Sequence, residues 1–215
     1  HEQGITSIHD AGASRRQIAL FQKLAAAGEL GLRVHVMVSA SKKDELEYWL
    51  ERGPVKDSDV QVRAIKVYAD GALGSRGAAM LEDYSDDAGN QGLLITSAEE
   101  IQELARRGLE RGFQVCTHAI GDRANRLTLH AYRKAAGNDA AKLAAARFRV
   151  EHAQVVAVDD LPLFGKWGVL PAMQPQHQTS DMPWVEVRVG PERARGAYAW
   201  KSMIDGGGIV IGGSD

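Results

Sequence analysis

The sequence has 215 residues, is 44% hydrophobic and 25% charged, and carries a formal net charge of −2. That balance is ordinary for a globular protein and gives no electrostatic case for nucleic acid or an anionic membrane as partner. No apolar run approaches the roughly 20 residues that span a bilayer.

In chain order, apolar β-branched runs alternate with helical stretches. "GITSIHDAG" (4–12) reads as a strand and "SRRQIALFQKLAAAGEL" as a helix. "LRVHVMVS" (32–39) is a strand, followed by the helix "KKDELEYWLERG", closed by Gly53. "VRAIKVYAD" (62–70) is a strand that opens into a long loop, 71 to 96. The loop's glycines at 71, 74 and 77 match neither phosphate-binding fingerprint and read better as a flexible active-site loop, with Arg76 as a candidate anchor for an anionic group. "SAEEIQELARRGLERG" is a helix with Ser97 as cap, Glu99 and Glu100 in the first turn, and Gly112 as stop. Next come the strand "FQVCTHAIG" (113–121) and the helix "DRANRLTLHAYRKAAG", expected to be capped by Asp122. "FRVEHAQ" (148–154), "VLPAMQPQ" (169–176) and "IVIGGSD" (209–215) are strands; "AVDDLPLFGKWG" and "ERARGAYAWKSMIDGGG" are the intervening helices.

Seven strands, all but the last followed by a helix or long loop, predict a parallel sheet covered on both faces. A (β/α) barrel and a doubly wound open sheet both satisfy that pattern. The single cysteine, Cys116, rules out an internal disulfide and fits a reducing compartment, so a cytoplasmic location is expected. The chain opens without Met and stops directly after an apolar run, as expected of a piece of a longer protein.

Ionisable groups collect at the strand ends: His9 and Asp10; Lys66 and Asp70; His118; Glu151 and His152; Gln174, Gln176 and His177; Asp215. In a parallel α/β protein those ends share one face, and that face carries the site. Imidazole and carboxylate donors there suit a divalent metal such as zinc. His35, mid-strand, and His130, mid-helix, read as structural.

Read together, "GITSIHDAG", "IKVYADGALGSRGAAM", "VCTHAIGDRAN", "RVEHAQ" and "GIVIGGSD" resemble the amidohydrolase superfamily, and within it amidohydrolase family 3, the YtcJ-like branch. The resemblance runs through the whole chain, one motif per strand. It implies a (β/α)8 TIM-like barrel with the first strand missing, so that 1–215 would be a partial barrel holding strands two to eight. It implies a centre of one or two divalent ions, zinc expected, with Lys66, His118, His152 and Asp215 as ligands. Lys66 would be carboxylated by CO2 and bridge the metals if the site is binuclear. Asp215 would also move the proton of the attacking water, making it the catalytic residue; Arg76 and His177 would meet the substrate. The family's first-strand His-x-His is absent, since His1 and His9 do not form it. The activity implied is hydrolysis of carbon–nitrogen bonds other than peptide bonds in a small molecule. Ester, lactone or phosphoester hydrolysis, or a non-catalytic binding module, stay open, as does assembly into a homo-oligomer.

Overall fold

The computed structural model describes residues 2–57 and 59–215, which divide into two compact units. The first comprises residues up to Val67 with Arg107–Cys116; the second comprises Tyr68–Arg106 and Thr117–Asp215. His1, which the sequence reading weighed as half of a histidine pair, lies outside the described residues.

In the first unit, strands β1 (Ser7–Ala13) and β2 (Arg33–Ser39) pair in parallel, and β2 pairs in parallel with β4 (Val60–Tyr68). Helix α1 (Arg15–Ala26) follows β1, and α2 (Lys43–Arg52) follows β2. Ser14 starts α1 with a capping box: Gln17 N donates to its hydroxyl, and Gln17 Oε1 accepts from Ser14 N at 3.0 Å. Val34, Val36, Val38, Val60, Val62 and Ala64 are buried, as continuous β-branched runs in a parallel sheet require.

Two details differ from the sequence reading. A short strand β3 (Val55–Lys56) folds back antiparallel onto β4; two residues are too few for any periodicity to announce. β1 also runs to Ala13, because Gly12, at φ 124°, supplies a bulge where the register with β2 shifts. His9 and Asp10 are therefore mid-strand, not at the strand end. His9 sits opposite His35 in the ladder, ring centroids 4.7 Å apart.

In the second unit, β6 (Arg149–His152), β7 (Leu170–Met173) and β8 (Ile211–Gly212) run parallel beside β5 (Gln114–Ala119), whose second half belongs to this unit. Helix α3 (Ala98–Arg111), whose residues to Arg106 belong to this unit, precedes β5 and α4 (Asp122–Ala135) follows it; α5 (Ala140–Ala146), a short helix the sequence reading did not mark, leads into β6. Ser97 caps α3 as expected: its hydroxyl accepts from Glu100 N at 3.2 Å, and Glu100 Oε2 accepts from Ser97 N at 3.0 Å. The expected cap of α4 is corrected. Gly121 is the N-cap, and Asp122 is the first helical residue, its Oδ1 accepting from Leu81 N and Arg123 N, each at 2.8 Å.

After β6, a 3-10 turn (Val158–Asp160) enters α6 (Leu161–Trp167). The stretch expected to be one helix from 192 to 208 is instead divided between α8 (Val185–Ala194) and α9 (Trp200–Asp205). Tyr198, at φ 51°, breaks the path between them, and Pro191 after Gly190 (φ 76°) kinks α8. Gln176, expected in the strand 169–176, and His177 after it lie on α7 (Pro175–Asp181), which starts on its proline. The unit packs around Leu73, Met80, Tyr84, Ile120, Val155 and Val189.

Candidate metal and active site

The second unit gathers most of the candidate residues. His118 stands one residue from the end of β5 and His152 is the last residue of β6. Their ring centroids are 4.6 Å apart at 75°. Nε2 of His118 lies 3.5 Å from Gly71 O and 3.5 Å from Asp70 Oδ1, both acceptors.

His152 is fixed twice. Its backbone has φ 74° and that of Ala153 φ 41°, so the chain turns left-handed on leaving β6. Such residues cost about 1–3 kcal/mol each and persist only where their surroundings hold them. Here Gln154 does the holding: its Nε2 donates to Asp181 Oδ2 at 3.0 Å and to Tyr198 Oη at 2.8 Å, while its carbonyl accepts from Tyr198 N at 2.8 Å. Tyr198 Oη also donates to Asp181. Burial, reinforced by Asp181, pushes the Tyr198 phenol above its ordinary range, so it is a neutral donor. The ring of His152 is held separately, Nδ1 lying 2.9 Å from Gln174 Oε1.

Asp70 is the polar keystone of this region. Fully buried, its carboxylate accepts from Ala79 N at 2.9 Å, Ile120 N at 3.0 Å and Gly121 N at 2.8 Å. Burial nonetheless pushes its carboxyl up to about 7, against those three donors and with Asp122 adding to the rise. Gly121 is required by contact, since a Cβ there would lie 2.0 Å from Ala79 O. Asn125 completes the frame, the two hydrogens of its Nδ2 shared among Ala119 O, Gly121 O and Val155 O at 2.9–3.1 Å.

His177 stacks toward His152, centroids 6.1 Å apart at 19°. Both line a narrow crevice with Gln154, Met173, Gln174 and Tyr198, too tight to hold even a water molecule, so it is not a substrate chamber. Asp215 follows β8 and is exposed; the preceding carbonyl, Ser214 O, accepts from Gln176 Nε2 at 2.6 Å. Lys66 belongs to the first unit, 4% exposed on β4, opposite Ser39 in the ladder, with its carbonyl accepting from Ala40 N at 2.9 Å.

Two of the candidates, one at a strand end and one in the loop, are spoken for. Glu151 is buried and paired with Arg149, Nη2 to Oε2 at 2.8 Å. Arg76 donates Nε and Nη2 to the Asp86 carboxylate at 3.0 and 2.9 Å, and Arg188 of α8 donates to the same carboxylate. Arg188 also reaches Gly74 O at 3.1 Å, and Arg193 reaches Glu82 O at 2.9 Å and Asp83 O at 2.6 Å. The glycine-bearing loop is thus tied down, where the sequence reading expected flexibility.

Whether these residues suit a metal turns on donor chemistry. Two imidazoles side by side at adjacent strand ends, with a carboxylate and a carbonyl oxygen at 3.5 Å from one of them, are donors a borderline divalent cation accepts. They fit. Among the described residues no group of three His, Cys, Asp or Glu side chains is already gathered as a cage.

The model of the amidohydrolase family matches residues 1–215. The chain belongs to the amidohydrolase family. This amidohydrolase chain is 33% identical over 195 residues to YtcJ of Bacillus subtilis (strain 168), covering 91% of the chain and 35% of YtcJ. It is 34% identical over 173 residues to the protein LONG AFTER FAR-RED 3 of Arabidopsis thaliana, covering 79% of the chain and 29% of that protein. Among solved structures, an uncharacterized metal-dependent hydrolase from Pyrococcus furiosus superposes with a TM-score of 0.87 at 29% identity, over 100% of this chain and 43% of that one. The amidohydrolase chain therefore spans less than half the length of each of these relatives, and its α/β fold is that of the family's (β/α) barrel.

Sequence reasoning missed Gln154, Asp181, Tyr198 and Asn125 as parts of the site. Gln154 follows His152 by two and Asn125 lies in the first turn after "HAIG", positions that hint at a role. Asp181 and Tyr198 gave no signal, because only the fold brings them to Gln154.

Proposed function

We propose that the protein containing this chain hydrolyses carbon–nitrogen bonds other than peptide bonds, in an amide, cyclic amide or N-acyl small molecule, with one or two divalent ions, zinc foremost. The observation that carries the reading is the His118–His152 pair at adjacent strand ends of an amidohydrolase-family chain. The metal-dependent hydrolase of Pyrococcus furiosus lends it support.

In this reading His118 and His152 hold the metal with Lys66 and Asp215. A metal so bound supplies two things: a water acidified from a pKa of about 15.7 toward about 7, and a polarised substrate carbonyl. Lys66, buried on β4, would serve as its carbamate: the neutral amine attacks CO2, forms the N–C bond and gives up a proton, leaving a two-oxygen anionic ligand. Asp215 takes the proton of the attacking water and returns it to the leaving nitrogen. His177, stacked toward His152, contacts the substrate. Arg76, already engaged by Asp86, is given the task of holding the loop, not of binding an anion.

The test uses the full-length protein, reconstituted with zinc and bicarbonate and offered matched amides, cyclic amides, N-acyl compounds, esters and lactones. Turnover of the nitrogen compounds, abolished in His118→Ala and His152→Ala, supports the reading. Turnover of esters or lactones alone moves the reaction class, and failure to retain any divalent ion overturns the proposal.

A further inference from the structure

Gln174 does more than fill the strand end after β7. Its Nε2 donates to Ala172 O at 3.1 Å, and a carbonyl can only accept, so the amide orientation is fixed. The oxygen, Oε1, is therefore the atom that faces His152 Nδ1 at 2.9 Å. An amide oxygen accepts only, so Nδ1 must carry the proton. Nε2 is then the ring nitrogen with the lone pair. Gln174 is 8% exposed and His152 8%, so water competes poorly for either group.

We infer that Gln174 is a positioning residue that sets the tautomer of His152, making Nε2 the nitrogen offered to a divalent cation. The inference rests on the metal-hydrolase reading for its purpose, but its first test, the tautomer, does not. An imidazole whose other nitrogen is held by an acceptor binds metal through a defined atom and at a defined angle; losing such a partner typically costs 10–100-fold in metal affinity. The left-handed backbone at His152 aims the ring, and Gln174 chooses the nitrogen.

The tautomer can be read without any catalysis. The full-length, metal-free protein is labelled with nitrogen-15 histidine and examined at a pH where imidazoles are neutral, His152 being assigned by its loss in His152→Gln. The proton is expected on Nδ1; a proton on Nε2 overturns the inference. In parallel, zinc affinity is measured by chelator competition. Gln174→Met, which keeps the volume but offers no oxygen, is expected to weaken zinc about 10- to 100-fold. Gln174→Glu, which keeps an acceptor for Nδ1–H, should recover most of that loss. Equal zinc affinity in wild type and Gln174→Met overturns the proposal. A protein that shows Nδ1–H and the Gln174-dependent zinc loss but hydrolyses nothing leaves this inference standing and removes the hydrolase reading. Hydrolysis with an Nε2–H tautomer does the reverse.

Discussion

A single buried carboxylate can matter more than a surface full of charges, and Asp70 shows why. Three backbone N–H groups from two segments, Ala79 and Ile120–Gly121, end on its two oxygens. In Asp70→Asn, one carboxylate oxygen becomes an NH2 that cannot accept. At least one buried N–H is left unpaired, at about 1–3 kcal/mol apiece. Urea denaturation should show a loss in that range. Glu151 makes the complementary case. With Arg149 it forms a buried ion pair, so Glu151→Ala strands a guanidinium and should cost about 3–5 kcal/mol. Replacing the pair together, Arg149→Met with Glu151→Leu, should restore much of the loss, and a double-mutant cycle in urea measures the difference. From sequence alone Glu151 looked like one more strand-end donor. Pairing in the i, i+2 sense along β6 is what removes it, and nothing in "RVEHAQ" distinguishes a carboxylate bound to its neighbour from one bound to a ligand.

At the scale of elements, strand and helix order was legible because buried parallel strands are written as β-branched runs and helices carry their caps. What escaped were β3, too short for a pattern, the break between α8 and α9, set by backbone conformation at Tyr198, and the tethering of the loop between β4 and α3, whose cause is non-local. That loop read as mobile because glycines are permissive. In the fold, Asp86 receives Arg76 from the loop and Arg188 from α8, closing the loop against the helix. The Arg76 hydrogen bonds come first in holding the Asp86 carboxyl below its ordinary value, Arg188 adding to them against desolvation. A depressed folded-state value means the link contributes fully above the unfolded-state pKa of about 3.9 and is lost as pH falls through the folded one. Protection of residues 71–96 against hydrogen exchange, corrected for the intrinsic rate at each pH, should therefore fall on acidification below about pH 4. In Asp86→Asn the same segment should exchange fast at neutral pH and lose that acid dependence.

For the molecule as a whole, the family and its barrel were legible because the motifs fall one per strand in order. The ligand set was legible only as residue types. His118 and His152 are brought side by side, whereas Asp215 is exposed after β8 and Lys66 lies in the other unit, so the full set is a proposal carried by resemblance. Binding linkage gives a global check. A cation that binds only the folded full-length protein adds about 2.7 kcal/mol at one hundred times its dissociation constant. Zinc at that excess should raise the melting temperature of the wild type, and the rise should vanish in the His118→Ala/His152→Ala double variant. A melting temperature unmoved by zinc in the wild type would count against a metal centre.

"HAIGDRA" packs two kinds of necessity into a few letters. In the proposed reading His118 would be there for chemistry, whereas Gly121 is there because the Ala79 carbonyl occupies the space a methyl group would need. The two would then be under different selection. In any relative without hydrolysis, the histidine would be released to drift while the glycine stayed pinned by the fold. Sorting the family by the state of the histidine, at fixed glycine, should therefore separate working enzymes from copies retired into other roles.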